Sequence, residues 1–310
     1  MDRPPLWILF GLAAVVVPPL VWTGLARESA VVIPMEDLVA VPTDVEVVRF
    51  AVAPVLVPDR NSEAWYSFAG FLSGKLGKRV QLLQRETHLE INDLLDTGQV
   101  DVALISTGEY LSAIRSGLDV EVLQVPWYST GPSFLSYIVV RADSPFTSLA
   151  DLTHQHMAMS DPDSLSGYVY PMWALLGAGA APRRLLDRVT FTYGHEASLL
   201  AVLHGAVESA AVDSLVFDHE VSLRPDLATR LRVIHRSPPL GANPIVVPLG
   251  LDNHRKVRIR EVLRGMRRSK EGAAVLAELG IIQFDDAPQG LYDADFARLD
   301  EVRAALGRQP

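Results

Sequence analysis

The feature that most constrains the fold of this 310-residue chain is a regular alternation of strand-like and helix-like segments from Val47 onward. The segment "VEVVRFAVAPV" is apolar and rich in β-branched residues, as in a buried strand, and "SEAWYSFAGFLSGKLG" spaces its apolar residues as a helix does. "RVQLL", "HLEINDLLDTG" and "VDVALI" continue the series as strand, helix and strand. Alternation with short joins favours a parallel sheet covered by helices on both faces. We therefore predict an α/β fold.

The same scheme recurs in the middle of the chain, which indicates a second α/β unit. "HMAMS", "VTFTYG", "ESAAVDS" and "LRVIHRSP" are typical of strands, whereas "GYVYPMWALLGAG" and "HEASLLAVLHG" are typical of helices. The β-rich run "SFLSYIVVRA" is long enough to cross from one unit to the other. We predict two lobes, one formed by residues 47–133 and 238–310 and the other by residues 134–237.

A long uncharged run near the N-terminus predicts a membrane segment. Residues 4–26, "PPLWILFGLAAVVVPPLVWTGLA", have about the length that a helix needs to cross a ~30 Å hydrocarbon core. We assign 1–26 as an anchor that crosses through residues 6–26, and 27–46 as a tether. A cleaved signal sequence is the alternative, although the "GLARES" exit is a poor cleavage site. Arg3 precedes the run and acidic residues follow it, so the body is expected at the periplasmic face of the inner membrane, or in the periplasm after cleavage.

Composition and charge exclude several classes of function. The formal net charge is −9, which argues against a nucleic-acid-binding protein. The chain contains no cysteine, so disulfides, thiolate metal sites and cysteine nucleophiles are excluded. The basic run "HRKVRIREVLRGMRR" is typical of a solvated helix face, and docking to an acidic permease or to lipid headgroups is the alternative.

The common signatures of catalytic, metal and cofactor sites are absent from the sequence. "SLSGY" lacks the glycine that precedes the serine of a nucleophile elbow, and "LGAGAAP" lacks the glycine pattern of a dinucleotide site. "HQH" at 154–156 places two imidazoles on one strand face without a third ligand nearby. We predict no enzymatic activity, no metal and no cofactor.

Polar residues follow several of the predicted strands, at the edge where α/β sheets bind ligands. They are Ser106, Thr107 and Gly108 in "ALISTGEY", Asp161, Ser164, Ser166 and Gly167 in "MSDPDSLSGYVYP", His195 in "YGHEA", and Asp213 and Ser214 in "VDS". Helix starts present free N–H groups and a positive dipole end, which suit an oxyanion. Each position alone is also typical of a simple helix cap. Their recurrence at corresponding strand ends favours an anion-binding cradle.

Four segments together resemble the phosphate, phosphite and phosphonate-type periplasmic binding proteins of ABC importers. "DPDSLSGYVYP" is similar to that family's Asp-Pro-x-Ser-Thr-Ser-Gly-x-x-x-Pro signature, and "YGHEASLLAVLHGAVESAAVDS" to its Gly-His-(Asp/Glu)-Ala stretch with the closing Val-Asp-Ser. "SPPLGANPIVV" and "GQVDVALIST" match two further segments. The resemblance extends from about Arg49 to Leu291. It implies a type 2 periplasmic binding protein fold, in which two hinged lobes close over a central cleft.

The resemblance also implies roles for individual residues. Ser164 and Ser166, with Gly167, would donate hydroxyl and backbone N–H groups to the anion, and His195 would be a charged or hydrogen-bonding partner. Asp213 would hold a cationic substituent of the ligand or orient the other donors. Ser106 and Thr107 would line the opposite lobe.

Two positions depart from the family pattern. Leu165 stands where the family has threonine, so one hydroxyl donor is missing, and His88 stands near the place of an aromatic residue. We place both changes at the pocket, His88 among its ligand-binding residues. The ligand therefore stays open among phosphonate, phosphite and phosphate.

We interpret the chain as an exported solute-binding protein that captures a small oxyanion for an ABC permease. The alternative is a sensory or accessory module of the same fold that signals to a partner membrane protein.

Overall fold

A computed structural model describes residues 46–53, 62–85, 88–181 and 188–307. The predicted membrane segment at 1–26, and the predicted tether except for Glu46, lie outside the described residues. Within the described ranges, no helix has both the length and the apolar character that crossing a bilayer requires.

The described secondary structure alternates between strands and helices through most of its length. The strands are β1 Val47–Val52, β2 Arg79–Gln84, β3 Val102–Leu104, β4 Val120–Trp127, β5 Ser133–Phe134, β6 Ser136–Arg141, β7 Met157–Met159, β8 Val189–Phe191, β9 Ser209–Asp213, β10 Leu231–Arg236, β11 Leu240–Gly241, β12 Ile245–Pro248 and β13 Gln283–Asp285. The α-helices are α1 Ser62–Leu76, α2 His88–Asp96, α3 Thr107–Arg115, α4 Tyr170–Gly177, α5 His195–Leu203, α6 Ser214–Leu223, α7 Leu227–Arg230, α8 Asn253–Gly265, α9 Lys270–Glu278 and α10 Asp293–Ala305. A π-helical turn, Leu165–Val169, leads into α4.

The first sheet has six strands in the order β13-β4-β12-β3-β1-β2. β1 runs parallel to β2 and β3, as the alternation predicts. β12 lies between β3 and β4 and is antiparallel to both, and β13 is antiparallel to β4. The expectation of a wholly parallel sheet is therefore wrong, because strands from the C-terminal part of the chain enter this sheet in the reverse direction.

The second sheet has five strands in the order β10-β6-β9-β7-β8. β7 is parallel to β8 and β9, whereas β6 is antiparallel to β9 and β10. The segments that connect the two sheets pair with each other, since β5 and β11 form a short antiparallel ladder. The fold is thus two-lobed, and each lobe is built on its own mixed sheet. The two segments that pass between the lobes lie side by side. The lobe boundaries given above stay a prediction.

Helices cover both faces of the first sheet, as predicted. Successive residues of β1 point to opposite faces, because side chains alternate along a strand. Phe50 packs into a cluster with residues of α1, α8 and α9, and its neighbour Ala51 packs into a second cluster with residues of α2. The short apolar strands of this sheet are therefore buried from both sides.

A third hydrophobic cluster extends across both sheets. It contains Val125 of β4, Ile138 of β6 and Leu299 of α10. Helix α10 packs against α3, α4 and the π-helical turn. Arg115 of α3 donates two hydrogen bonds to Asp300, at 2.9 and 2.6 Å. The C-terminal helix thus ties a helix of the first sheet to the helix that follows β7 of the second.

The basic run forms α8 and the turn after it, and carboxylates of the same chain compensate many of its charges. The ion pairs are Arg255–Asp101 at 3.5 Å, Lys256–Glu121 at 2.7 Å, Arg260–Asp286 at 3.6 Å and Arg264–Asp285 at 2.7 Å. Asp101 and Lys256 are buried, whereas the pairs of Arg260 and Arg264 are more exposed and contribute about 0–1 kcal/mol each. The pairing supports the interpretation of the run as a solvated helix face.

Candidate functional site

The loop after β7 turns into a helix through a cap made by Ser164. Its backbone is extended, with φ −84° and ψ 126°, and its Oγ accepts a hydrogen bond from the N–H of Gly167. The distance between Ser164 Oγ and Gly167 N is 3.0 Å. A serine at this position satisfies a helix-start N–H that would otherwise lack a partner. Ser164 therefore has a structural role in shaping the turn.

Gly167 is required by a close approach inside this loop. A Cβ at Gly167 would lie 1.8 Å from Oγ of Ser160 and 2.9 Å from Oγ of Ser164. Ser160 itself is fully buried, and its hydroxyl has no hydrogen-bond partner among the described residues. Sequence reasoning missed Ser160, although its place directly after β7 and before Asp161 is a signal for a site residue.

Ser166 is held through its backbone, which leaves its side chain uncommitted. Its carbonyl oxygen accepts a hydrogen bond from Oγ of Ser136 at 2.6 Å. Ser136 is in turn the strand partner of Asp213, so this contact brings Ser166 close to the end of β9. No hydrogen bond joins the Ser166 hydroxyl to another described residue. Ser166 is buried, so its hydroxyl lies in the interior without a described partner.

His195 is the first residue of α5, and a hydrogen bond from the end of β9 fixes its ring. The backbone N–H of Asp213 donates to Nδ1 at 3.2 Å, so in the neutral ring the proton is on Nε2. Burial lowers the pKa of His195 to about 4, against an opposing effect of the Ala211 carbonyl. His195 is thus neutral at pH 7, which favours a hydrogen-bonding role over the charged one.

Asp213 caps α6 from the end of β9. Its Oδ1 accepts a hydrogen bond from the N–H of Leu215 at 2.7 Å. Burial raises the pKa of Asp213 to about 7, and the Asp218 carboxylate adds to the rise, although backbone N–H groups oppose it. The neighbouring phenol of Tyr128 also has a raised pKa, because of burial and the Asp213 charge. At neutral pH the Asp213 carboxyl is therefore about half protonated.

Ser106 and Thr107 begin α3 at the edge of the first sheet. Ser106 forms a capping box with Glu109, accepting from its backbone N–H at 3.2 Å. The Thr107 hydroxyl donates to the carbonyl of Gly241 at 2.7 Å, and the Thr107 N–H donates to Oδ1 of Asn243 at 2.9 Å. Both of these hydrogen bonds thus join Thr107 to the segment that contains β11 and passes between the sheets. Asn243, which lies in the "SPPLGANPIVV" stretch, was not singled out from the sequence.

The two sheets bring these residues to facing edges. The Ser106 hydroxyl donates to the backbone carbonyl of Asp163, 3.4 Å away in the loop after β7. Ser106 therefore contacts the loop that contains Ser164 and Ser166. The same loop is hydrogen-bonded through Ser166 to Ser136, the strand partner of Asp213, and Asp213 is hydrogen-bonded to His195. Apart from His88, the predicted site residues belong to one connected group.

Leu165 and His88 are the two positions that depart from the family pattern. Leu165 is almost fully buried and belongs to the hydrophobic cluster that extends across both sheets. Its place at the pocket stays a prediction. His88 is the first residue of α2, and its side chain lies outside the described residues.

The histidines of "HQH" do not assemble a metal site in the described part of the chain. His156 Nε2 lies 2.8 Å from the Thr190 hydroxyl, with which it shares a hydrogen bond. Among the described residues, no group of three or more histidine, aspartate or glutamate side chains is arranged to hold a metal ion.

The arrangement supplies hydrogen bonds rather than opposite charge. Its described polar side chains are serine and threonine hydroxyls, a neutral imidazole and a carboxyl that is about half protonated. Hydrogen bonds from neutral donors to an anion are strong where water is excluded, since the local dielectric is low. Chemically, the site is suited to holding a small oxyanion.

Comparisons with known proteins agree with this chemistry. The family model described as "ABC transporter, phosphonate, periplasmic substrate-binding protein" matches residues 50–292. The phosphonates-binding periplasmic protein of Escherichia coli K12 is 25% identical over 224 residues, which cover 71% of this chain and 66% of that protein, just under two thirds of its length. The phosphate-import protein PhnD of Mycolicibacterium smegmatis is 26% identical over 155 residues, 47% of this chain and 48% of that protein.

Solved structures share the fold. PhnD1 of Prochlorococcus marinus, in complex with methylphosphonate, superposes with a TM-score of 0.73 at 16% identity, covering 85% of this chain and 99% of that one. Since the family model spans most of the chain, including both sheets and the loop after β7, the chain belongs to the family of periplasmic substrate-binding proteins of phosphonate ABC transporters.

Proposed function

We propose that this protein captures a small phosphorus oxyanion, namely a phosphonate, phosphite or phosphate, and delivers it to an ABC permease at the periplasmic face of the inner membrane. The observation that carries the proposal is the uncommitted hydroxyl of Ser166 within a turn shaped by Ser164 and Gly167. A neutral His195, linked to this turn through Asp213 and Ser136, adds a donor without adding charge.

The roles of the site residues follow from their contacts. Ser166 and His195 donate to the anion, while Ser164 and Gly167 orient the turn and its N–H groups. Asp213 either accepts from a cationic substituent or, when protonated, donates to an oxygen. Ser106 and Thr107 position the opposite edge. His88 stays a predicted contact at the start of α2.

A ligand panel on the full-length protein in detergent tests the proposal. The panel contains methylphosphonate, 2-aminoethylphosphonate, phosphite and phosphate, with sulfate for comparison. A ligand present at one hundred times its Kd stabilises the folded state by about 2.7 kcal/mol, which raises the melting temperature. We expect at least one phosphorus anion to do so, and Ser166→Ala to reduce the shift. Ser116→Ala, at the exposed end of α3, is the matched control.

Lack of any shift across the panel would contradict the proposal. Transport is tested separately, by measuring uptake of the bound anion in cells that lack the gene. Binding without a loss of uptake would indicate the alternative function, a sensory module of the same fold.

The N-terminal segment stays a predicted anchor. We expect the full-length protein to remain in the membrane fraction at high salt and to enter solution only with detergent. A mature N-terminus near residues 26–29 would instead identify a cleaved signal sequence.

A further inference from the structure

Helix α3 of the first sheet lies directly against the backbone of the loop that follows β7 of the second. The contact is at Gly108, in the first turn of α3. A Cβ there would lie 2.1 Å from the carbonyl oxygen of Asp163 and 2.6 Å from the amide nitrogen of Leu165. Both atoms belong to the backbone, so no rotation of a side chain can relieve the overlap. Any residue larger than glycine forces the helix and the loop apart.

The backbone conformation does not explain a glycine at this position. Gly108 is not among the glycines with positive φ, and it lies in a regular helix. Alanine stabilises a helix relative to glycine by up to about 1 kcal/mol. Local structure would therefore favour alanine, and the contact with the loop is what requires glycine.

Two hydrogen bonds flank this contact and end on the same loop residue. The Ser106 hydroxyl donates to the Asp163 carbonyl at 3.4 Å, and the Ser112 hydroxyl donates to Oδ1 of Asp163 at 3.2 Å. Such bonds weaken steeply when they lengthen. To bring a Cβ at Gly108 to ordinary contact, the two segments must separate by about 1 Å, which would break both bonds.

We infer that Gly108 is a positioning residue for ligand capture, because its missing side chain sets how closely the two edges of the site approach each other. The inference rests on the proposed function, since the approach of the edges matters to binding only if the anion is held between them. The loop residue contacted, Asp163, directly precedes Ser164. A displacement of this loop therefore moves the donors of the turn relative to α3.

The test compares Gly108→Ala with Gly70→Ala, a glycine of α1 around which a Cβ would meet nothing within 4 Å. Because the chain has no cysteine, Glu278→Cys and His204→Cys allow one spin label on each lobe. Distances between the labels are measured by pulsed electron resonance in full-length protein, without ligand and with saturating methylphosphonate, phosphite or phosphate. Affinities for the same probes are measured in parallel.

We expect the parent protein and Gly70→Ala to show a short-distance population that grows with the bound probe. Gly108→Ala should lose this population and bind the probe at least tenfold more weakly, while it still folds and melts cooperatively in the absence of ligand. Equal distances and equal affinity in Gly108→Ala would overturn the inference.

The unliganded measurement separates this inference from the proposed function. If none of the three probes binds, a short distance in the parent that is absent from Gly108→Ala still supports the contact. If the parent protein shows only the long distance between the labels, both without ligand and with each probe, the inference about Gly108 is contradicted. Should Gly108→Ala fail to fold, Ser112→Ala removes one flanking hydrogen bond without adding bulk. It should lower affinity several-fold at constant melting temperature, and unchanged affinity would contradict the inference.

Discussion

The backbone N–H of Asp213 donates to Nδ1 of His195 at 3.2 Å, and the two buried side chains have pKa values displaced in opposite directions. The pKa of His195 is lowered from 6.5 to about 4, and that of Asp213 is raised from 3.8 to about 7, in both cases mainly by burial. Burial disfavours the charged form of each group. Both therefore bind protons differently in the folded and unfolded states over the same interval, from about pH 4 to pH 7.

We predict that the two groups oppose each other in the pH dependence of stability. The pKa of Asp213 is higher in the folded than in the unfolded state. Its contribution to the stability of the fold is therefore present below about pH 4 and is lost as the pH rises through 7. The pKa of His195 is lower in the folded than in the unfolded state. Its contribution to the stability of the fold is therefore present above about pH 6.5 and is lost as the pH falls through 4.

Single substitutions should separate these effects. Relative to the parent, the free energy of unfolding of Asp213→Asn should rise from pH 4 to pH 7, whereas that of His195→Asn should fall. Each slope difference is at most about 1.4 kcal/mol per pH unit. Urea titrations at intervals of half a pH unit give the comparison. Parallel curves for the parent and both variants would show that neither group titrates as described.

The two serines of the turn should respond differently to alanine. Ser164→Ala removes the cap on Gly167 and should cost about 1 kcal/mol of folding free energy. Ser166→Ala removes only a hydroxyl that has no partner in the described protein, so stability should be nearly unchanged. Its loss should instead weaken anion binding by about 1.5–3 kcal/mol, roughly ten- to one-hundredfold. Calorimetric titration measures the affinity of both variants, and thermal melts measure their stability. Unaltered affinity in Ser166→Ala would show that the Ser166 hydroxyl does not contact the anion.

Gly167 and Ser160 should be energetically coupled. Gly167→Ala places a Cβ 1.8 Å from the Ser160 Oγ and should destabilise the fold by about 1–3 kcal/mol. Ser160→Gly removes the two Ser160 atoms that clash and leaves the Ser164 Oγ at 2.9 Å, so the double variant should recover much of that loss. A double-mutant cycle in urea measures the coupling. Additive effects of the two changes would mean that the clash is relieved elsewhere.

Leu165→Thr should destabilise the protein without strengthening binding. The leucine side chain is buried in the cluster between the sheets, so threonine both loses apolar contacts and buries a hydroxyl. We expect a cost of about 2–4 kcal/mol. Leu165→Met is the control and should cost less than about 1.5 kcal/mol. Tighter binding of methylphosphonate or phosphite by Leu165→Thr would place this side chain in the site after all.

The order of strands and helices could be predicted from the sequence because it follows from local patterns of apolar residues. The direction of β12 could not, since it depends on where the chain re-enters the first sheet after passing through the second. Leu165 illustrates the same limit within the site. Its place in a signature motif indicates the pocket, whereas its membership of the hydrophobic cluster across both sheets depends on contacts that no local pattern encodes.

Ser160, and the packing role of Gly108 at a strand end that the sequence already indicated, were not predicted for a related reason. Nothing in "STGEYLSA" distinguishes a glycine chosen for space from one chosen for conformation. The atom that needs the space, the Asp163 carbonyl, is distant in sequence and comes close only when both sheets have formed. Contacts between separate elements of this kind leave no periodic trace in the sequence.

The hydrophobic cluster that joins β4, β6 and α10 has a consequence for how the molecule comes apart. Neither sheet can lose its structure without exposing apolar surface that the other also buries. Heating should therefore melt both lobes in one cooperative transition, with equal calorimetric and van't Hoff enthalpies, rather than as two independent domains.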